Sequence, residues 1–373
     1  MVCAVVFFLF SFCWLYLFQA DSLAVVQHTL SKGQTRYNPL VGAVIITVIL
    51  FIVHQGVYAM LRTKRITHAL TYFPSFLLLA LLSSLGVSNS GHVTMGMGGW
   101  LFPLLLVVWG GLVWLCIQLH KCEENSRPDV FFSRPTWINL LMLCVMMMMV
   151  SIIGNTNAVY HYRAHAEVAL RDGHVDEALR VGARSHETDE SLTMLRLYAL
   201  SQQGLIGDSL FSYAIAGTSA DMLPQLNGSH SHLLIYPADS LWAHFGALKP
   251  TDGMTVHDYL DALALDTLST PAYRDYRLAG MLIDRQLDSF VVSLPSYYPL
   301  EADSLPRHYR EALTLYYNMV ADSTLRHSYT DSLMLQRWQE FLDLREQYPN
   351  PREQQLRLPK HLSHTYWPYY LYK

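Results

Sequence analysis

The chain has 373 residues and a formal net charge of −4, and 51% of it is hydrophobic against 15% charged, too few charges for an ordinary soluble protein. Residues 1–153 carry 8 Lys/Arg and 4 Asp/Glu, whereas residues 154–373 carry 18 and 26, a net of −8. An acidic second half argues against nucleic-acid binding, which needs a basic footprint. All five cysteines (Cys3, Cys13, Cys116, Cys122 and Cys144) lie in the first half, so the second has neither a disulfide framework nor a thiolate metal site.

Charge-free intervals locate the membrane spans, because a charge at mid-bilayer costs roughly 2.5–3.5 kcal/mol. They predict five helices, at about 2–19, 40–61, 69–87, 100–119 and 136–154, each near the ~20 residues that cross the hydrocarbon layer. The third and fourth share one uncharged interval, divided by the small and polar run from Ser88 to Gly99. The first lacks a basic flank and an A-x-A cleavage site, so it is expected to be a retained span rather than a signal peptide. Its abrupt start leaves open further spans upstream.

Orientation follows the basic residues of the loops. Arg62, Lys64 and Arg65, with Lys121, Arg127 and Arg134, lie on one predicted face, and Lys32 and Arg36 on the other. This places the N-terminus in the cytoplasm and residues 155–373 in the periplasm, with the lipid bilayer of the inner membrane as a partner. The cysteine-free second half agrees with an oxidising compartment.

From Val159 the periodicity becomes helical. Ala169-Leu170-x-x-Gly173 followed by Glu177-Ala178-Leu179 predicts a helix ending at Gly and a second with an acidic start. The figure recurs at Ala199-Leu200-x-x-x-Gly204, followed by Asp208-Ser209-Leu210-Phe211. Over 159–217 the pattern resembles a degenerate tetratricopeptide repeat, without its aromatic and closing Pro. Further helices are expected at 238–248, 255–265, 271–283, 305–321 and 331–347, with 218–237 irregular. The expected fold is all-α: a five-helix transmembrane bundle (1–154) followed by an α-helical repeat domain, a short solenoid (155–373).

Gln27-His28-Thr-Leu-Ser31-Lys-Gly33-Gln-Thr35-Arg36-Tyr37-Asn38 and Leu70-Thr-Tyr72-Phe73-Pro74-Ser75 resemble an uncharacterised family of multi-pass envelope proteins from gut-type Gram-negative bacteria. That resemblance implies an architecture and no activity.

Candidate chemistry is sparse. Asp21, His28 and Arg36 fall in the first outer loop, and Asp21 resembles the acidic residue that lipid-linked glycosyltransferases place there. The alternative is that Asp21 caps an interfacial helix and Arg36 anchors the next span. His54 and Gln55 interrupt the second span, as an intramembrane polar site or as interhelical hydrogen-bonding groups. The pairs His161/His165, His230/His232 and His361/His364 lack a third ligand, so no metal is expected. No nucleophile elbow, phosphate loop or dinucleotide fingerprint occurs, and no cofactor is expected. Asp-Ser/Thr tripeptides at Ser209, Ser240, Thr267, Ser304, Ser323 and Ser332 resemble bacterial O-glycosylation acceptors, although helix capping requires the same residues. Two functions are expected: a membrane-anchored domain that binds a protein or peptide in envelope assembly, or a membrane enzyme acting on a lipid-linked sugar or acyl donor through the first outer loop.

Overall fold

The computed structural model describes residues 2–61, 65–96, 99–119, 134–300, 304–319 and 331–372. They are mostly helical and form two compact units, residues 1–164 and 165–373.

Helices long and apolar enough to cross a membrane are Pro39–Leu61, Leu101–Gln118 and Arg134–Ile153. Two of the expected segments differ from this in detail. The expected helix 2–19 is α1 (Val2–Cys13) with a π turn (Trp14–Phe18), and a 70° bend leads from it into α2 (Ala20–Leu30). Half of the expected outer loop is therefore helix. After α3 (Pro39–Leu61), the expected helix 69–87 is a 3₁₀ segment (Arg65–Tyr72), α4 (Phe73–Ser83) and a strand. The apolar stretch Thr67–Ser83 is shorter than a span.

Pro74 explains the break. It sits in the first turn of α4, where a missing N–H costs nothing, whereas inside a helix it would strip the carbonyl four residues back of its donor. Beyond Ser83, β1 (Leu85–Val87) pairs antiparallel with β2 (Val93–Met95). Gly91, at φ +75°, makes the intervening turn. The sequence signal was a Ser-Asn-Ser-Gly run between β-branched residues, and it adds a hairpin to the expected all-α fold.

The remaining long helices of this unit are α5 (Leu101–Leu119) and α6 (Arg134–Ile153). Phe7, Leu50, Tyr72, Phe76, Leu143 and Met146, from α1, α3, the 3₁₀ segment, α4 and α6, form its core. A Cβ on Gly110 or Gly111 of α5 would meet nothing within 4 Å, so these glycines pack against no other described part of the chain. The loop bases Arg62, Lys64, Lys121 and Arg127, together with Cys122, lie outside the described residues.

Helix α7 (Ala158–Arg171), whose second half belongs to the second unit, and α8 (Val175–Arg180) meet at Gly173, φ +81°. Helices α9 (Glu190–Gln203) and α10 (Ile206–Ser209) meet at Gly204, φ +68°. Both glycines end their helices in the left-handed conformation that favours Gly. The helices that follow are only six and four residues long, shorter than the second helix of a tetratricopeptide pair.

Helix α9 is buried all round from Ser191 to Leu200, which makes it the central helix of the unit. Of the helices that follow, α11 (Ala238–Ala243), α12 (Val256–Leu265), α13 (Ala272–Ile283), α14 (Leu287–Ser293) and α15 (Arg307–Met319), α13 packs against α9 and is itself contacted by α12 and α14. Helix α11 stops short of the expected 248. Gly246 takes φ +127°, and a Cβ there would stand 2.7 Å from the Leu268 carbonyl. Helix α16 (Ser332–Gln347) is capped by Asp331, whose carboxylate accepts the Met334 N–H at 3.1 Å. The C-terminal helix Tyr366–Tyr372 inserts Tyr366 and Trp367 fully into the core.

Candidate functional site

Asp21 and His28 occupy α2 seven residues apart, nearly one face of the helix and about 10 Å along its axis. Arg36 follows in the exposed turn before α3. That turn folds back on the helix. The Gly33 N–H donates to the His28 carbonyl at 2.8 Å, and Gln27 Nε2 donates to Thr35 Oγ1 at 3.0 Å. A cavity of about 450 Å³ lies beside α2, and its lining includes Leu23, Gln27, Tyr37 and Leu85. Asp21, His28 and Arg36 do not line it, so the structure does not gather them on this cavity.

His54 is buried in α3 at 2% exposure. Its ring stacks on Tyr72 at a centroid distance of 3.6 Å, and His68 meets both rings edge-on at 5.7 Å. Thr71 Oγ1 donates to the His68 carbonyl at 2.7 Å and lies 3.2 Å from His54 Nδ1. One hydroxyl proton serves one acceptor, so His54 donates from Nδ1 and its tautomer is fixed. The cluster joins α3 to the broken third segment by stacking and hydrogen bonding. Gln55 lies on an exposed face of α3 instead, as adjacent helical residues diverge by about 100°.

Asn139 in α6 has a similar role. Its Oδ1 accepts the Ala69 N–H at 2.6 Å, and its Nδ2 donates to the Pro135 carbonyl at 2.8 Å. The useful signal was the polar amide itself within an apolar helix.

In the second unit, buried charge is spent on backbone. Glu167, at 0% exposure, accepts N–H groups from Leu234, Ile235 and Tyr236 at 2.7–2.9 Å. It thereby holds the end of the irregular 218–237 segment. Arg196 donates to the carbonyls of Gly182 at 2.9 Å and Ala214 at 3.3 Å, and lies over the Tyr213 ring. His308 accepts the Phe211 N–H on Nε2 at 3.2 Å and donates from Nδ1 to Glu311 at 2.8 Å. The same carboxylate oxygen accepts the Tyr366 N–H at 2.7 Å, which holds the C-terminal helix.

The Ser219 hydroxyl bonds Asp284 and lies 3.1 Å from His257 Nε2. Here serine sits between histidine and carboxylate, the wrong order for a nucleophilic triad, and it is 2% exposed. Asp221 accepts bonds from the Thr218 and His230 N–H groups and from the Thr218 hydroxyl, and pairs with the His230 ring. Burial pushes its carboxyl up, but these bonds outweigh burial and hold it below the usual range. Burial also lowers His244, whose Nε2 lies 2.7 Å from Ser201 Oγ.

The histidine pairs diverge. His161 bonds the Asn155 carbonyl, whereas His165 pairs with Glu177. His361 meets Glu340, whereas His364 bonds the Ser212 carbonyl. Among the described residues no group of three or more His, Cys, Asp or Glu side chains is placed to hold a metal ion. Of the acceptor-like residues, Ser240, Thr267, Ser304 and Ser332 are exposed and Ser209 is half-buried, while Ser323 lies outside the described residues.

Residues 236–373 match a family of unknown function (DUF6057). The match covers the later part of the second unit and excludes the membrane-length helices and the repeat-like stretch 159–217. No curated protein and no solved structure matches the chain.

Proposed function

We propose that the protein is a membrane-anchored binding protein of the cell envelope. Its spans hold a tetratricopeptide-like helical domain on the periplasmic side of the inner membrane, where that domain takes a protein or peptide partner. The observation that supports this most is how the second unit uses its buried polar groups. Glu167, Arg196 and Glu311 are each committed to main-chain groups of the unit itself, which makes them structural supports. What the unit offers outward is surface. Leu265 and Leu268 are 87% and 71% exposed beside Asp266, an apolar spot on an acidic domain of the kind partners cover. The exposed hydroxyls of Ser240, Thr267, Ser304 and Ser332 support a glycosylated exterior on the same side of the membrane.

A photo-cross-linking residue at position 268, introduced into the full chain in growing cells, tests the binding role. A discrete adduct with another envelope protein, lost when Leu265→Asp is added, is the expected result. Adducts confined to the chain itself would contradict it.

A further inference from the structure

The loop that carries Leu268 hangs from the end of α11. Thr270 donates its hydroxyl to the His244 carbonyl at 2.7 Å and its N–H to the Phe245 carbonyl at 2.8 Å. The Leu268 carbonyl passes so near Gly246 that a Cβ there would stand 2.7 Å from it. Within the loop, Asp266 accepts the Leu268 N–H on Oδ1 at 3.0 Å. These contacts hold Thr267 and Leu268 outward, next to the exposed Leu265.

His244 is the C-terminal cap of α11, and its half-buried ring positions that cap. Nε2 lies 2.7 Å from Ser201 Oγ of α9, and the ring meets Tyr198 edge-on at 5.5 Å. The next residue, Phe245, is fully buried against Tyr259 of α12 and Tyr276 of α13. Two carbonyls thus anchor the loop, one set by a phenyl ring and one by an imidazole. Only the imidazole changes charge between pH 5 and 8.

Nothing that packs around this ring offers it a free counter-charge. Tyr198 faces it, backed by Tyr236, and Tyr259 and Tyr276 lie behind Phe245; phenols are uncharged at neutral and acid pH. On its own helix Asp239 pairs with Lys249 at 2.6 Å, and in the loop Asp266 is bonded to backbone. Burial holds His244 below the usual histidine range, so a second proton favours a ring that has left its place for water.

We infer that His244 is a pH-sensitive latch on residues 266–270. The neutral ring holds the loop, and the protonated ring leaves Ser201, turns the end of α11 and frees Thr270 and Leu268. What the latch regulates rests on the binding role proposed for the Leu265–Leu268 surface, whereas the latch itself does not.

The test uses the full chain in nanodiscs, with its native cysteines replaced and a nitroxide on Thr267→Cys. Electron paramagnetic resonance should show an ordered label at pH 7.5. The ratio of mobile to ordered label should rise as pH falls below about 6.5, by at most about tenfold per pH unit, the limit for one proton. His244→Gln keeps a hydrogen-bonding side chain beside Ser201 without titrating, and should hold the ratio constant from pH 7.5 to 5. Thr270→Val removes one tie and should give a mobile label already at pH 7.5, in a chain whose circular dichroism is unchanged. A constant ratio in the unmodified chain, or the same pH response in His244→Gln, would overturn the latch. A label as ordered in Thr270→Val as in the parent would overturn it as well. The cross-link from position 268 should weaken over the same pH range; a cross-link that persists while the label becomes mobile would overturn the regulatory part. Absence of that cross-link at pH 7.5, with the label ordered, would count against the binding role alone.

Discussion

Trp109 donates its indole N–H to the carbonyl of Leu70 at 2.9 Å, the carbonyl that Pro74 cannot serve. In an unbroken helix the residue 74 N–H would close that bond, but proline has none. The indole of α5 gives this carbonyl a side-chain donor where the 3₁₀ segment passes into α4, so the break is supported from a neighbouring helix.

Trp109→Phe keeps the bulk and removes the donor. It should cost about 1–2 kcal/mol of stability in detergent. Pro74→Ala restores a backbone N–H opposite Leu70, and in that background the cost of Trp109→Phe should fall close to zero. A double-mutant cycle measured by unfolding in mixed micelles reads this coupling. Equal costs in both backgrounds would show that the indole bond and the proline are unrelated.

The His54 stack should behave as packing. His54→Phe retains the ring against Tyr72 and loses one hydrogen bond, a loss of about 1 kcal/mol. His54→Ala leaves a cavity in the same place and should cost about 2–4 kcal/mol. Gln55→Leu, on an exposed face of the same helix, should change stability by less than about 0.5 kcal/mol.

Glu167→Gln should be among the most damaging single changes in the second unit, at about 2–4 kcal/mol, because one buried carboxylate accepts three backbone N–H groups. Proteolysis should then cut first around 234–236, the stretch that Glu167 holds.

The pH dependence of the second unit follows from three sets of groups. His244 is lowered by burial, so the unfolded chain takes up a proton first. The stability it contributes is complete above about pH 6.5 and declines as pH falls towards its folded value. Asp221 is also lowered. Its contribution is present above about pH 4 and is lost as pH falls through its folded value. At the other end, burial raises Tyr198, Tyr276, Tyr309 and Tyr366, and pushes Tyr259 up to about 12. Their unfolded forms ionise near pH 10, so stability should fall steeply above that. Thermal unfolding against pH checks each arm. His244→Gln should flatten the slope just below pH 6.5 and leave the alkaline limb intact.

Much of the second unit was legible because its signals are local. Gly173 and Gly204 end helices, Asp331 caps one, and the predicted helices at 255–265 and 271–283 fall within a residue of Val256–Leu265 and Ala272–Ile283. The first unit was harder, because hydropathy measures whether a segment tolerates lipid and not whether its backbone is continuous. Leu70-Thr-Tyr-Phe-Pro74 is apolar enough to suggest a span, and only the proline marks the break. The bend after Phe18 had no such marker, since Gln19-Ala20-Asp21 also suits a helix end. The buried networks around Glu167 and Glu311 join residues 55–69 positions apart, and nothing in their spacing announces them. Nearness in sequence groups Asp21, His28 and Arg36, but α2 sets Asp21 and His28 two turns apart and Arg36 lies beyond its end.

The orientation of the chain is the central claim, and cysteine accessibility measures it directly. The test needs two chains, one with Cys122 as the one remaining cysteine and one with Thr267→Cys alone. In sealed spheroplasts an impermeant maleimide should label position 267 and leave Cys122 unlabelled until the membrane is opened. Labelling of Cys122 in sealed spheroplasts, with position 267 protected, would place residues 165–373 in the cytoplasm and contradict the account.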